Sequence, residues 1–167
     1  MGTSGGVGVS PGTLIITNEA VDGMFRPEYR QIILGKEVVR KTKCDQNLVN
    51  ELMDIGHSYK DIQGVVTGKT MCAHDFYEGQ ARVDGAFCEY TSESKMNFLK
   101  ECSQNGIKNI EMESLCFTGL LNHANLKAAV ICVSLVDRLS GDQVTVPHDL
   151  NIEYQERPFK LVGEYIK

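Results

Sequence analysis

No surplus of basic residues runs through this chain of 167 residues, in which 17 Lys and Arg stand against 22 Asp and Glu for a formal net charge of -5. With a pI near 5.4, it carries no electrostatic footprint for nucleic acid or for an anionic membrane, although local positive pockets for small neutral or anionic ligands remain open to it. The six cysteines, Cys44, Cys72, Cys88, Cys102, Cys116 and Cys132, form no C-x-x-C pair and no tight cluster. Several lie in apolar runs such as AAVICVSLV, where a free thiol behaves as a small buried hydrophobe, so a reducing, cytoplasmic setting is expected. No run approaches transmembrane length and no basic segment followed by an apolar one opens the chain, so neither a span nor a signal peptide is expected. A myristoylation signal fails at Gly6, where Ser or Thr is required. Repeats, low-complexity tracts and linkers are missing too, and one domain over 1–167 is the economical reading. What is present, 42% hydrophobic and 23% charged residues, suits a soluble globular core and excludes fibrous and disordered classes.

The β-branched run TLIITNEA predicts a strand from Thr13 to Ala20, and a second β-rich patch covers Gln31 to Arg40 with a turn at Gly35. Leu48, Val49, Leu52, Met53 and Ile55 recur at helical spacing, with Asp45 as cap and an end near Gly56. A strand follows within 63–70. Helical spacing returns from Ser94 to Asn105, with Gly106 at the left-handed C-terminal position. Then come a short strand at 109–112, a helix over ESLCFTGLLNHA, a continuous apolar strand from Ala128 to Val136, and a helix from Asp149 that Pro158 either kinks or restarts. Apolar strands alternating with helices predict an α/β fold with a mixed, mainly parallel sheet flanked by helices on both faces.

Several stretches carry candidate chemistry. GTSGG, residues 2–6, matches the G-x-S-x-G pattern of a nucleophilic serine at Ser4, but that motif needs a strand before it and a helix after it, and neither is readable here. The same glycines suit convergence of backbone N–H groups on a phosphate, with the Thr3 hydroxyl as a further donor; the alternative is a flexible terminus. Cys72 and His74 lack partners at zinc-ligand spacing, and His57, His123 and His148 read as surface residues. Glu111 and Glu113 stand where a strand ends and a helix begins, a place where α/β sheets bind ligands and where a carboxylate also complements a helix dipole. Gln80 and Arg82, two positions apart after an aromatic pair, offer a planar set of donors and an acceptor suited to the edge of a flat heterocycle.

GTSGG, TMCAHDFYEGQARVDGAFCEY, NIEMES, SLVDRLSGDQ and EYQERP, in this order and at these distances, resemble the eukaryotic uridine phosphorylases of the nucleoside phosphorylase superfamily along essentially the whole chain. The resemblance implies that uridine and phosphate give uracil and ribose 1-phosphate, with inorganic phosphate as co-substrate and no other cofactor. It implies that Gln80 and Arg82 hold the pyrimidine edge, that Phe76 packs on the ring, and that Leu135 and Val136 line the base site. By the same resemblance Met112 and Glu113 bind ribose, Thr3 lies between phosphate and ribose, and Gly2 with Thr3 meets phosphate. It further implies a homodimer or larger homo-oligomer with shared sites. Such roles are chemically coherent: cleaving the glycosidic bond leaves negative charge on the base, which Arg82 and Gln80 would stabilise, while Glu113 orients the sugar near the developing cation.

The chain departs from that pattern in two ways. The family's motif reads Arg-Ile-Gly-Thr-Ser-Gly-Gly with a phosphate-binding arginine, whereas Met1 stands at the isoleucine position. Further phosphate ligands and strands of the family belong to a segment that precedes this one, so a partial copy, impaired in phosphorolysis and left with apolar sheet edges, is expected. Asp137 is the second departure, because purine-specific relatives use an aspartate in this region; Gln80 and Arg82 weigh towards a pyrimidine. The other function classes open to the chain are a non-catalytic uracil- or uridine-binding paralogue that pairs with full-length subunits, a purine nucleoside phosphorylase, and a serine hydrolase.

Overall fold

Five strands close on one another in the order β1-β6-β5-β2-β7, and two more form a separate hairpin. The computed structural model describes residues 1–59 and 64–167. In chain order the strands are β1 (Gly2–Gly6), β2 (Leu14–Val21), β3 (Glu28–Ile33), β4 (Lys36–Lys41), β5 (Val65–Cys72), β6 (Ile107–Glu111) and β7 (Val130–Asp137). The helices are α1 (Gln46–Ser58), α2 (Ser92–Gln104), α3 (Ser114–His123) and α4 (His148–Ile166), with one 3-10 turn at Glu78–Gln80. No helix among the described residues is long and apolar enough to cross a membrane.

The sheet is mixed, as expected, but it closes on itself like a barrel rather than standing as a clearly parallel sheet between helices. Strand β2 is parallel to β5 and β5 to β6, but β2 is antiparallel to β7, and β1 is parallel to β7 while antiparallel to β6. The reason lies in the GTSGG stretch. It is neither a loop nor a loose terminus but a strand, seated between β6 and β7, that closes the barrel. Glycine permits this close approach: a Cβ on Gly6 would stand 2.4 Å from Ser134 Oγ. Because each of the five strands has two neighbours, the open apolar edges expected of a partial sheet do not arise.

Local signals set most element ends. Asp45 Oδ1 accepts from Leu48 N at 2.9 Å and starts α1, which runs two residues past Gly56. Thr91 caps α2 through Ser94 N at 3.1 Å, and Gly106 takes φ +79° just beyond its end. Pro158 lies inside α4 without dividing it. The strand expected within 63–70 runs from Val65 to Cys72, and position 63 lies outside the described residues. The patch Gln31–Arg40 becomes the β3–β4 hairpin, turning at Leu34 and Gly35.

Helices α1 and α4 cover one side of the barrel, where Leu14, Ile16, Val133 and Ile131 meet Val49, Leu52 and Leu161. Helix α2 covers another side, setting Leu99 and Cys102 on Val7, Val21, Met71, Ile107 and Ile110. Each such fully buried aliphatic side chain stabilises the fold by about 1.5–3 kcal/mol. Helix α3 and Tyr29 of the hairpin close a third patch over Ala20, Cys72 and Leu115.

Candidate functional site

A cavity of about 700 Å³ opens beside β1, at the ends of β6 and β7. It is lined by Thr3, Ser4 and Gly5 of β1, by Glu111, Met112 and Glu113 where β6 ends, and by Leu135 and Val136 of β7. Phe76, Tyr77, Gln80, Arg82 and Asp84, from the loop after β5, and Asp142, Gln143 and Val144, from the loop after β7, complete it. The residues assigned by resemblance to base, ribose and phosphate therefore meet around one space, apart from Gly2, which lines an adjoining cleft with Thr3, Glu111 and Glu113.

The loop after β5 is wound by its own aspartate. Asp75 accepts from Tyr77 N at 2.7 Å and from Gly79 N at 2.8 Å, and Ala81 adopts a left-handed φ of 55°. This winding places Gln80 and Arg82, both more than 90% buried, at one end of the cavity. The Gln80 carbonyl accepts from Arg138 Nη2 at 2.7 Å, while its side-chain amide makes no hydrogen bond to a described residue.

Arg82 is gripped on one edge. Its Nε and Nη2 each lie 3.0 Å from an oxygen of Asp84, and Nη2 also donates to the Asp142 carbonyl at 2.9 Å. Its guanidinium carbon stands 4.4 Å over the Phe76 ring, a cation–π geometry. Phe76 is thus the platform for Arg82 and, with its ring half exposed, also a wall of the cavity. With Nε and Nη2 engaged, Nη1 is the donor left for a ligand, and it is not sealed from solvent. The Arg82 hydrogen bonds hold the Asp84 carboxyl below its ordinary range.

Behind these residues lies an ion cluster that sequence reasoning missed. Asp142 accepts from Arg138 Nε at 2.9 Å and from Lys95 Nζ at 2.6 Å. Burial opposes ionisation of Asp142, but the Lys95 hydrogen bond and the Arg138 charge outweigh it, and its pKa falls below the ordinary value. Burial pushes the fully enclosed Arg138 down, against the pull of Asp142, and its Nη1 has no hydrogen-bond partner among the described residues. Gly5 makes room for this side chain, since a Cβ there would touch Arg138 Cγ and Cδ at 3.0 Å. The only sequence signal was the four-residue spacing of Arg138 and Asp142 in DRLSGD; Lys95 gave none.

At the other end the two glutamates divide their tasks. Glu111 is buried and accepts from Glu113 N at 3.0 Å, Ser114 N at 2.9 Å and Ser114 Oγ at 2.5 Å, so it is the carboxylate that caps α3. Burial raises its pKa in spite of these donors. Glu113 occupies the cap position but makes no side-chain cap bond; exposed, with its carboxylate unengaged by described residues, it is the one available to a ligand.

The remaining candidates do not take the roles their motifs suggest. Ser4 sits inside β1 and donates to Val133 O at 3.4 Å, so the strand-to-helix turn of a nucleophilic serine is not there. Asp137 is occupied by the backbone N–H groups of Gly8 and Leu139, at 3.1 and 3.0 Å, and borders a neighbouring cleft rather than the main cavity. Cys72 is buried and His74 exposed.

The cavity thus brings unengaged polar groups of Gln80, Arg82 and Glu113 to one space on an α/β fold, an arrangement suited to a small molecule. The phosphorylase superfamily matches residues 1–167, and the chain belongs to that superfamily. Over all 167 residues it is 50% identical to uridine phosphorylase 1 of Mus musculus, covering 53% of that protein. To the uridine and thymidine phosphorylase of Caenorhabditis elegans it is 48% identical, covering 56%. Its fold superposes on 58% of the Schistosoma mansoni uridine phosphorylase crystallised with thymine, with a TM-score of 0.95 and 41% identity over 98% of this chain. The chain spans about half the length of the relatives it matches, and its α/β fold is nucleoside phosphorylase-like.

Proposed function

We propose that this chain carries the base- and ribose-binding part of a uridine phosphorylase, which converts uridine and phosphate to uracil and ribose 1-phosphate. The observation that carries this reading is the convergence of Gln80, Arg82, Met112 and Glu113 on one cavity, with the Gln80 amide, the Arg82 Nη1 group and the Glu113 carboxylate unengaged by described residues. The amide would accept from and donate to the uracil edge, and Arg82 Nη1 would donate to an oxygen that gains charge as the glycosidic bond breaks; removing one such donor costs about 3 kcal/mol of transition-state stabilisation. Glu113 would accept from ribose hydroxyls, with Met112 beside the sugar. Leu135, Val136 and Phe76 would exclude water from the ring. Thr3 and Gly2, at the adjoining cleft, would meet phosphate. A pyrimidine is favoured over a purine because Asp137 is occupied outside the main cavity. Inorganic phosphate is the co-substrate in this reading, the assembly a homodimer or larger homo-oligomer, and the location the cytoplasm.

A second reading has its own observation. Among the described residues lining the Thr3 end and the adjoining cleft there is no Lys or Arg side chain, while Glu111 and Glu113 are both there. Two carboxylates repel phosphate, so this chain alone binds uracil or uridine and turns it over poorly. Uracil release from uridine, followed with and without phosphate, tests both readings. Phosphate-dependent release that disappears in Glu113→Ala supports the phosphorylase. Uracil binding without release supports the binding form, and a folded chain that neither binds nor releases uracil removes both.

A further inference from the structure

The two loops that bring Gln80 and Arg82 to the cavity are tied together by one buried carboxylate. Asp142 holds Arg138 through Oδ1, Arg138 in turn holds the Gln80 carbonyl, and the Asp142 main-chain oxygen holds Arg82. Its other carboxylate oxygen lies 2.6 Å from Lys95 Nζ, in a pair whose side chains are only 8% and 6% exposed. Lys95 stands on α2, on the face that also buries Leu99 and Cys102, and contributes nothing to the cavity lining. Stability alone does not account for it: a buried ion pair is often matched or bettered by apolar residues of similar volume.

Charge does account for it. Lys95, Arg82 and Arg138 set three positive charges against the two of Asp84 and Asp142, so the cluster carries one net positive charge behind the end of the cavity where a leaving base would become an anion. Without Lys95 the cluster is neutral, and Asp142 Oδ2, left with the long 3.5 Å contact from Val83 N, competes for the arginines.

We infer that Lys95 is a positioning residue for the base end, saturating one oxygen of Asp142 so that the other, with the main-chain carbonyl, sets Arg138, Gln80 and Arg82 in place for a pyrimidine. The inference rests on the reading of the cavity as a pyrimidine nucleoside site. It assigns Lys95 no contact with substrate.

The test is calorimetric titration of the 167-residue chain with uracil, for the parent, Lys95→Met and Lys95→Arg, with melting followed by circular dichroism. Lys95→Met weakens uracil binding about tenfold, the scale of one charge-assisted hydrogen bond misplaced. Lys95→Arg, which restores the charge, stays within about threefold of the parent. A merely structural lysine lowers the melting temperature of Lys95→Met yet leaves the affinity of the folded protein unchanged, and that result overturns the inference, as does Lys95→Arg binding as weakly as Lys95→Met. Should Lys95→Met fail to fold, Lys95→Gln, which is shorter, uncharged and leaves the cluster neutral, takes its place; uracil binding weakened about tenfold supports the inference and parent-like binding overturns it. A folded parent that does not bind uracil at millimolar concentration removes the reading of the cavity, and the inference with it. A parent that binds, beside a Lys95→Met variant that binds equally, removes the inference alone.

Discussion

At the Gln80 and Arg82 end of the cavity nearly every charge is held by another buried group, whereas at the Glu113 end the carboxylate stands exposed and unengaged beside a second carboxylate that is fully occupied in capping α3. Behind Gln80 and Arg82, Asp142, Arg138 and Lys95 form a buried cluster. The Glu113 side is built from one helix start, with its carboxylate unengaged by described residues. In the proposed reading the first side would be set for the ring before binding and the second would engage the sugar on arrival.

The difference breaks most sharply at Asp142. Asp142→Ala leaves Arg138 and Lys95 buried without their carboxylate and should cost about 3–5 kcal/mol, measured by urea denaturation, while Glu113→Gln, at an exposed group, should change stability by no more than about 0.5 kcal/mol. Equal losses in the two would erase the distinction between the ends. Gly5→Ala comes next, because its new Cβ meets Arg138 at 3.0 Å; the crowding should cost about 1–3 kcal/mol and weaken uracil binding through Arg138.

Acid should act on the base end with a defined sign. The pKa of Asp142 is depressed in the folded chain from its ordinary 3.8, so its contribution to stability is whole above that value and is lost as pH falls through the depressed one. The stability gap between parent and Asp142→Asn should therefore narrow as urea denaturation is carried from neutral pH down past that range; a gap that widens would contradict the ion-pair assignment.

The two ends should also separate by ligand. Glu113→Gln weakens uridine binding but leaves uracil binding unchanged, whereas Gln80→Ala weakens both, each to be read by titration calorimetry. The smallest effect concerns the thiols. Burial pushes Cys44 up to about 11 and Cys72, Cys102 and Cys132 to about 12, so iodoacetamide at neutral pH should label only the exposed Cys88 and Cys116 in the native chain.

Elements governed by neighbours in sequence were legible. Asp45 as a cap, Gly106 as a helix end, the apolar run of β7 and the helical spacing of α1 all act within a few residues, and they stand where the sequence puts them. Strand β1 was not legible, because its glycines have little strand preference and its partners, Cys132 to Asp137 and Asn109 to Ile110, lie more than a hundred residues away. The division of labour between Glu111 and Glu113 was half legible: both carboxylates were singled out, but which one caps the helix depends on the path of the backbone after β6.

The amino-acid sequence by itself determined the α/β class and the order of the elements after β1, since propensity and periodicity are local properties of the chain, while the resemblance of its motifs to the uridine phosphorylases supplied most of the residues that gather at the cavity. Only the tertiary structure decided that the sheet closes, that Arg82 keeps a single nitrogen for a ligand, and that Lys95 and Arg138 meet on Asp142. Those outcomes depend on side chains distant in sequence competing for the same few buried oxygens, and that competition exists only once the barrel has formed.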